Sequence, residues 1–271
     1  MSNLLSMLSA TYIKDLKNYS SYRFNIFGEF ILGFILIFFI YYLSRVFLNT
    51  NSSYLEMFNG NYFLFLLTGL SLLTFTTRNF SAIPFFISTS QSQGYFEKLL
   101  ISKTSITSIL LASCLFPISQ SIFRIFIIYF FSYVFSEETL SIINFLEMII
   151  LLVITSIPFI GLSLVLSSLI IIYKKATFLN SLFLLGCSIF SGIFYPVQVM
   201  PTFFQYISYI FPTTFSIDLI RLRVLQETPF NELYDNILLL IILSITYVIL
   251  GINCIRIAIA KVKKDGSASH F

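Results

Sequence analysis

The chain has 271 residues, of which 57% are hydrophobic and 10% charged, with mean hydropathy +0.91 and formal net charge +4. An average soluble domain carries about 25% charged residues, so a soluble enzyme or soluble binding module is excluded. What remains is an integral membrane protein with several spans, one membrane domain and no separate soluble domain. The bases lie beside apolar runs and form no patch; they read as topology markers and argue against a nucleic-acid partner.

Residues 1–23 place Leu4, Leu5, Leu8, Tyr12 and Leu16 on one helical face, with Lys14, Asp15, Lys17 and Asn18 largely on the other. Such an amphipathic helix suits the membrane surface, and it equally suits the side of a partner subunit. Residues 24–260 form the membrane domain and 261–271 a cytoplasmic tail. The first span is expected from Phe24 to Phe47, with Glu29 near its start reaching headgroup water. It exceeds the roughly 20 apolar residues that cross a bilayer. The first apolar run, starting near Ile26, is too long for a cleaved signal peptide and is expected to stay as an anchor. A polar loop, Asn49–Asn61, leads to a second span that begins at Tyr62, continues past Arg78 and bends near Pro84.

The next segment, Gln91 to Lys103, reads as a short amphipathic helix. Phe96, Leu99 and Leu100 are placed to seat in a groove, with Glu97 and Lys98 at its rim; a plain linker is the alternative. The third span covers Ile106–Phe135 and contains Pro117 and Arg124. Thirty helical residues would run about 45 Å, so tilt, a kink or protrusion is expected. A base deep in a span is costly and faces a pathway or a partner. Arg124 therefore lines a pathway, or forms a structural pair with Glu138 or Glu147. The fourth span runs from Phe145 to Ile172, with Pro158 and Gly161 as a kink; the fifth from Ala176 to Phe194; the last from Asn236 to Ile257.

The stretch Ser191–Arg221 is mostly apolar yet cut by Pro196, Pro201 and Pro212. Proline removes a backbone donor and ends a helix, and broken backbone survives at membrane depth only inside protein or beside a wet cavity. A re-entrant helical hairpin over about 196–212 is expected, with Phe203, Phe204, Ile207, Ile210 and Phe211 on its apolar side and Gln205, Ser208 and Tyr209 on a more polar one. Asp218 and Arg221 lie one turn apart and are expected to pair. With both termini inside, twelve of sixteen Lys and Arg residues fall on the inner side. Bases near span ends prefer the cytoplasm, which favours six spans.

Cys114, Cys187 and Cys254 sit in apolar runs without metal spacing, and the lone histidine is His270. There is no G-x-x-x-x-G-K-[ST] phosphate loop, G-x-S-x-G, H-E-x-x-H or C-x-x-C. The chain has no means of hydrolysing ATP alone and no set for acid–base or metal catalysis.

Ser191-Gly192-Ile193-Phe194-Tyr195-Pro196, then Pro201-Thr202-Phe203, then Pro212-Thr213-Thr214 through Asp218 to Arg221 resemble, in order, the signature of the ABC type-2 exporter membrane subunit. Gly94, Glu97, Leu99 or Leu100 and Ser102 resemble that family's "G-T-L-E-x-L-x-x-S-P" segment, with Tyr95 in place of threonine and Lys103 in place of proline. The resemblance implies an all-α permease with both termini cytoplasmic. Its site residues would be an ATPase-coupling segment (Gly94, Phe96, Glu97, Leu99, Leu100, Ser102) and an outer re-entrant gate (Ser191, Gly192, Tyr195, Pro196, Pro201, Pro212, Asp218, Arg221). It also implies a separate cytoplasmic nucleotide-binding subunit carrying ATP and Mg, none of it bound by this chain, and a second copy of the chain or a close homologue. The setting would be a plasma membrane and its lipids, with low charge and many Ile, Asn and Ser pointing to a prokaryote. The rivals are an ion-coupled secondary transporter, which needs intramembrane acids and usually a repeat, a membrane enzyme, and a non-transporting structural subunit.

Overall fold

Apolar chain in lipid must satisfy its backbone polar groups internally, which leaves the helix as the available form for runs of this kind. In the computed structural model all regular structure among the described residues is helical. Those residues are 2–47, 62–102, 104–135, 140–173 and 178–265. The expected Asn49–Asn61 loop, Lys103, Glu137, Glu138, Lys174, Lys175 and His270 lie outside the described residues, as do the side chains of Leu4 and Leu5.

The helices are α1 (Ser2–Ser21), α2 (Arg23–Phe47), α3 (Tyr62–Ser92), α4 (Phe96–Leu100), α5 (Ile106–Ala112), α6 (Leu115–Phe135), α7 (Ile142–Tyr173), α8 (Phe178–Phe190), α9 (Thr202–Ser208), α10 (Pro212–Val224) and α11 (Tyr234–Asp265). Five segments are long and apolar enough to cross a membrane: α2, α3, α5 with α6, α7 and α11. Within the fifth expected span, Ala176–Phe194, the described residues form the 13-residue α8, which ends ahead of Gly192 with its left-handed φ of 77°.

The third apolar run is interrupted at Ser113 and Cys114, between α5 and α6. Pro117 has no N–H to give the Ser113 carbonyl, so the ladder fails four residues ahead of it. Pro84 and Pro158, by contrast, sit inside unbroken α3 and α7.

α3 and α7 form the buried centre, while α2 and α11 are flanks with much exposed apolar surface. Ile87 of α3, Phe96 of α4, Leu110 of α5, Ile171 of α7 and Val262 of α11 share one cluster. Lys98, Lys261, Lys263 and Lys264 therefore lie at one end of the bundle. At the other end Asn144 Nδ2 donates to Glu227 (3.2 Å), and Arg223 pairs with Glu147 (2.7 Å). Helix α1 packs on its own chain: Tyr12 and Tyr19 meet Phe116 edge-on at 6.0 and 5.7 Å. Leu16, on the expected apolar face, is exposed.

The most extensive helix contact joins α7 to α11. Lipid tails are as apolar as leucine, so helices in a bilayer are drawn together by close packing through small residues. A Cβ on Gly161 would stand 2.5 Å from the Tyr247 carbonyl carbon, and one on Gly251 would stand 2.4 Å from the Gly161 carbonyl oxygen. Neighbours that belong to backbone have little room to yield. Gly251→Ala is expected to part α7 from α11 and to cost about 1–3 kcal/mol, read as a lowered melting temperature of the detergent-solubilised protein. An unchanged melting temperature would show that this crossing is looser than drawn.

Candidate functional site

The stretch after α8 is broken at each proline. Pro196 is extended (φ −60°, ψ 141°) ahead of a single 3-10 turn, Val197–Val199. Pro201, also extended, precedes α9, and Pro212 is the first residue of α10, where a missing N–H is harmless. The freed carbonyls are taken by side chains. Tyr195 Oη donates to Ile189 (2.6 Å), Gln205 Nε2 to Met200 (2.8 Å), Thr214 Oγ1 to Ser208 (2.6 Å) and Tyr247 Oη to Ile210 (2.9 Å). The Ser208 hydroxyl donates to the Phe190 carbonyl, and Ser191 and Thr213 share a hydroxyl contact.

The expected two faces of α9 are not cleanly separated: Ile207 and Phe211 are half-buried, and Tyr209 is exposed. Ser208 is fully buried, while Phe203, Tyr206 and Ile210 are exposed. The hydroxyl is needed inside to satisfy a carbonyl, and the aromatic groups turn outward.

Arg221 is the centre of the site. It is 1% exposed. Nη1 donates to the Gly192 carbonyl (2.7 Å) and Nη2 to those of Ile193 (2.8 Å) and Phe65 (3.2 Å). The guanidinium carbon sits 3.4 Å from the centroid of the Phe65 ring, a cation–π contact. Gly69, one turn after Phe65, makes room: a Cβ there would lie 2.4 Å from the Ile193 oxygen and 3.1 Å from Arg221 Nη2. Asp218, one turn away, acts on Arg221 electrostatically, while the hydrogen bonds of the guanidinium go to the three carbonyls. Ion pairs among the described residues are Lys14–Asp15, Arg78–Glu29, Arg124–Glu29 and Arg223–Glu147. Phe65 and Gly69 escaped sequence reasoning, since an aromatic and a glycine in an apolar run carry no distinguishing pattern.

At the other end, Gly94 closes α3. Its φ is 72°; Tyr95 N donates to the Ser90 carbonyl (3.1 Å) and Gly94 N to that of Gln91 (3.0 Å), the paired bonds of a Schellman turn. Phe96 is buried at 2%, and Leu99 and Leu100 pack on the same cluster. These three side chains are seated within the chain itself, not offered to a partner's groove as expected. The outward side of α4 carries Glu97, Lys98 and Ser102 together with Ile101, which is 84% exposed. Ile101 was missed because it follows two leucines that pack inward, and a helical step of about 100° turns it away.

Arg124 pairs with Glu29, its Nε 3.4 Å from Oε2, and Arg78 bonds the other oxygen of the same carboxylate. Glu29 is thus buried rather than in headgroup water. Glu147, expected as an alternative partner of Arg124, is held by Arg223, and Glu138 lies outside the described residues.

Arg221→Ala leaves three buried carbonyls without a charged donor, at about 3 kcal/mol or more, and a loss of folded protein in membranes is the expected readout. Arg221→Lys should recover only part of it, because one ammonium does not reproduce the planar fork. Gly69→Ala should displace Gly192 and Ile193 and expose nearby Cys187, which is fully buried. In a background with Cys114 and Cys254 changed to serine, maleimide labelling of Cys187 should rise; unaltered labelling would mean that the loop does not rest on α3.

Residues 2–224 match the family model described as ABC-2 type transporter. No individual curated protein matches the chain. The matched residues include both the α4 turn and the Arg221 site. The chain belongs to the ABC-2 type transporter family, as a membrane-spanning permease.

Proposed function

We propose that this chain is the permease subunit of an ATP-driven ABC exporter, coupled to a separate cytoplasmic ATPase, with the substrate path at the seam between two copies or close homologues. The setting is a prokaryotic plasma membrane, with both termini in the cytoplasm. The family match over residues 2–224 carries the reading, and the architecture supports its parts.

Helix α4 is fixed at its base and bare at its tip. Phe96 ties it to α3, α5, α7 and α11, while Glu97, Lys98 and Ile101 face outward. A force applied to those three residues reaches the bundle without slack. The six-span reading draws on α8 and the loop beyond it. Asn180 Nδ2 donates to Ser81 Oγ (3.0 Å), and Tyr62 Oη donates to the Phe194 carbonyl (3.4 Å). From Ser81 back to Tyr62, α3 covers about 28 Å, close to the roughly 30 Å hydrocarbon thickness. Residues 180–194 travel that depth even though α8 alone is short. The broken stretch beyond then forms the outer re-entrant gate, and α1 lies at the inner surface. The exposed apolar flank of α2, with Phe24, Phe27 and Phe38 outward, suits the second copy.

In this mechanism, ATP-driven closure of the partner pushes α4, and α3 carries the push to the gate. Glu97→Lys and Ile101→Asp are expected to abolish transport and permease-stimulated ATP hydrolysis in the reconstituted complex, with membrane insertion unchanged. Phe96→Ala should instead lower the melting temperature of the permease alone. Normal stimulated hydrolysis in both Glu97→Lys and Ile101→Asp would move the coupling contact elsewhere.

A further inference from the structure

The Glu29 cluster is unbalanced. One carboxylate faces two guanidinium groups, Arg78 from α3 and Arg124 from α6. The charged or titratable groups around Arg124 are Glu29, Arg78 and Tyr19. No second acid meets them among the described residues, so the cluster holds one excess positive charge. The Nε atoms of both arginines are buried without a hydrogen bond, as is the Tyr19 hydroxyl. A buried charge without a counterion is costly, and a built cluster of this kind calls for an anion.

The cluster is also reachable. Arg78 and Arg124 keep 22% and 17% of their side-chain surface open, while Glu29 keeps 9%. The carboxylate is at the back and the guanidinium groups are in front. Arg124 makes no hydrogen bond with any described residue, which leaves its fork free for oxygen acceptors. Glu29 is six residues into α2, counting from Arg23, or about 9 Å along the axis. That depth matches the headgroup and acyl boundary where amphipathic helices lie, and α1 runs beside it with Tyr19 over Phe116.

We propose that Arg78 and Arg124 form a binding site for an anionic phosphate group at the membrane surface, with Glu29 fixing the two guanidinium groups and Tyr19 closing the site from α1. The guanidinium fork matches phosphate oxygens in geometry as well as charge. A bound phosphate would neutralise the excess charge and tie α1, α3 and α6 together. The ligand is a phosphate ester of a lipid or phosphate from solution, and the transport reading is not needed for either.

The test uses the full chain in neutral detergent, with melting temperature followed during titration. The three probes are dioctanoyl phosphatidylglycerol, dioctanoyl phosphatidylcholine and inorganic phosphate. Phosphatidylglycerol should raise the melting temperature saturably, and phosphatidylcholine, with its own cation, should do little. Arg124→Gln removes the excess charge but keeps the Arg78–Glu29 pair, so the chain should fold while the phosphatidylglycerol midpoint weakens by about tenfold or more. Arg124→Lys should retain most of the binding. Glu29→Gln doubles the excess charge and should tighten the midpoint, which decides the matter if Arg124→Gln fails to fold. An equal response to inorganic phosphate, lost in the same variant, supports the site and assigns the anion to solution. The same midpoint in wild type and Arg124→Gln, or equal stabilisation by phosphatidylcholine, overturns the proposal.

Discussion

A buried guanidinium bonded to backbone carbonyls holds this protein's broken stretch in place. Arg221 has carbonyl dipoles from Gly192, Ile193 and Phe65 and the face of the Phe65 ring. Each charge-assisted bond is worth about 1.5–3 kcal/mol when formed and costs as much to leave unmade. The charge and the broken backbone therefore require each other. Without Arg221 the carbonyls at Gly192 and Ile193 would be orphaned in an apolar setting, and without those carbonyls the charge would have no partner that close. A carboxylate alone would offset the charge but leave the loop carbonyls unsatisfied.

The same node joins the two ends of the molecule. Phe65 and Gly69 belong to α3, and α3 ends in the Schellman turn that presents α4. An unbroken helix of 31 residues is a rod about 46 Å long. One end is wedged against the Arg221 site and the other into the cluster around Phe96. Pro84 lies within that rod and costs it one internal hydrogen bond. It is a built-in point of compliance between the two ends, in a helix that is otherwise mostly buried.

What the sequence made legible was set by how local the cause was. The long helices follow from apolar length, and the breaks at Pro196, Pro201 and Pro212 follow from a missing donor; both are local. Arg221 stood out as a base in a mostly apolar stretch, whereas Gly94 was marked by the family motif and not as the turn that ends α3. Partners were another matter. Asp218 was the partner visible one turn from Arg221, yet its guanidinium also bonds Gly192, Ile193 and Phe65, the last 156 positions away. Glu29 looked like a headgroup contact because it lies close to the start of α2, but Arg78 and Arg124 converge on it from two other helices. The short α4 failed in the same way. Its apolar residues were rightly marked for burial, but no local pattern says whether the groove that buries them belongs to this chain or to another.

The broken stretch itself divides into a fixed base and a looser crown. At the base, Ser191, Ile193, Thr213 and Arg221 are all at or below 1% exposure, and the Ser191–Thr213 and Arg221 bonds interlock there. Moving it would require several buried bonds to break together. The crown is α9 and its flanks, where Phe203, Tyr206, Tyr209 and Ile210 are exposed and the main ties are neutral hydrogen bonds from Gln205, Thr214 and Tyr247. Neutral bonds are worth about 1 kcal/mol each, so a modest force can exchange them. If the stretch gates a path, the crown is therefore the part that swings and Arg221 is its anchor. The Tyr247 bond adds a direct tie from the crown to α11, so a tilt of α11 would reach the crown without disturbing the base.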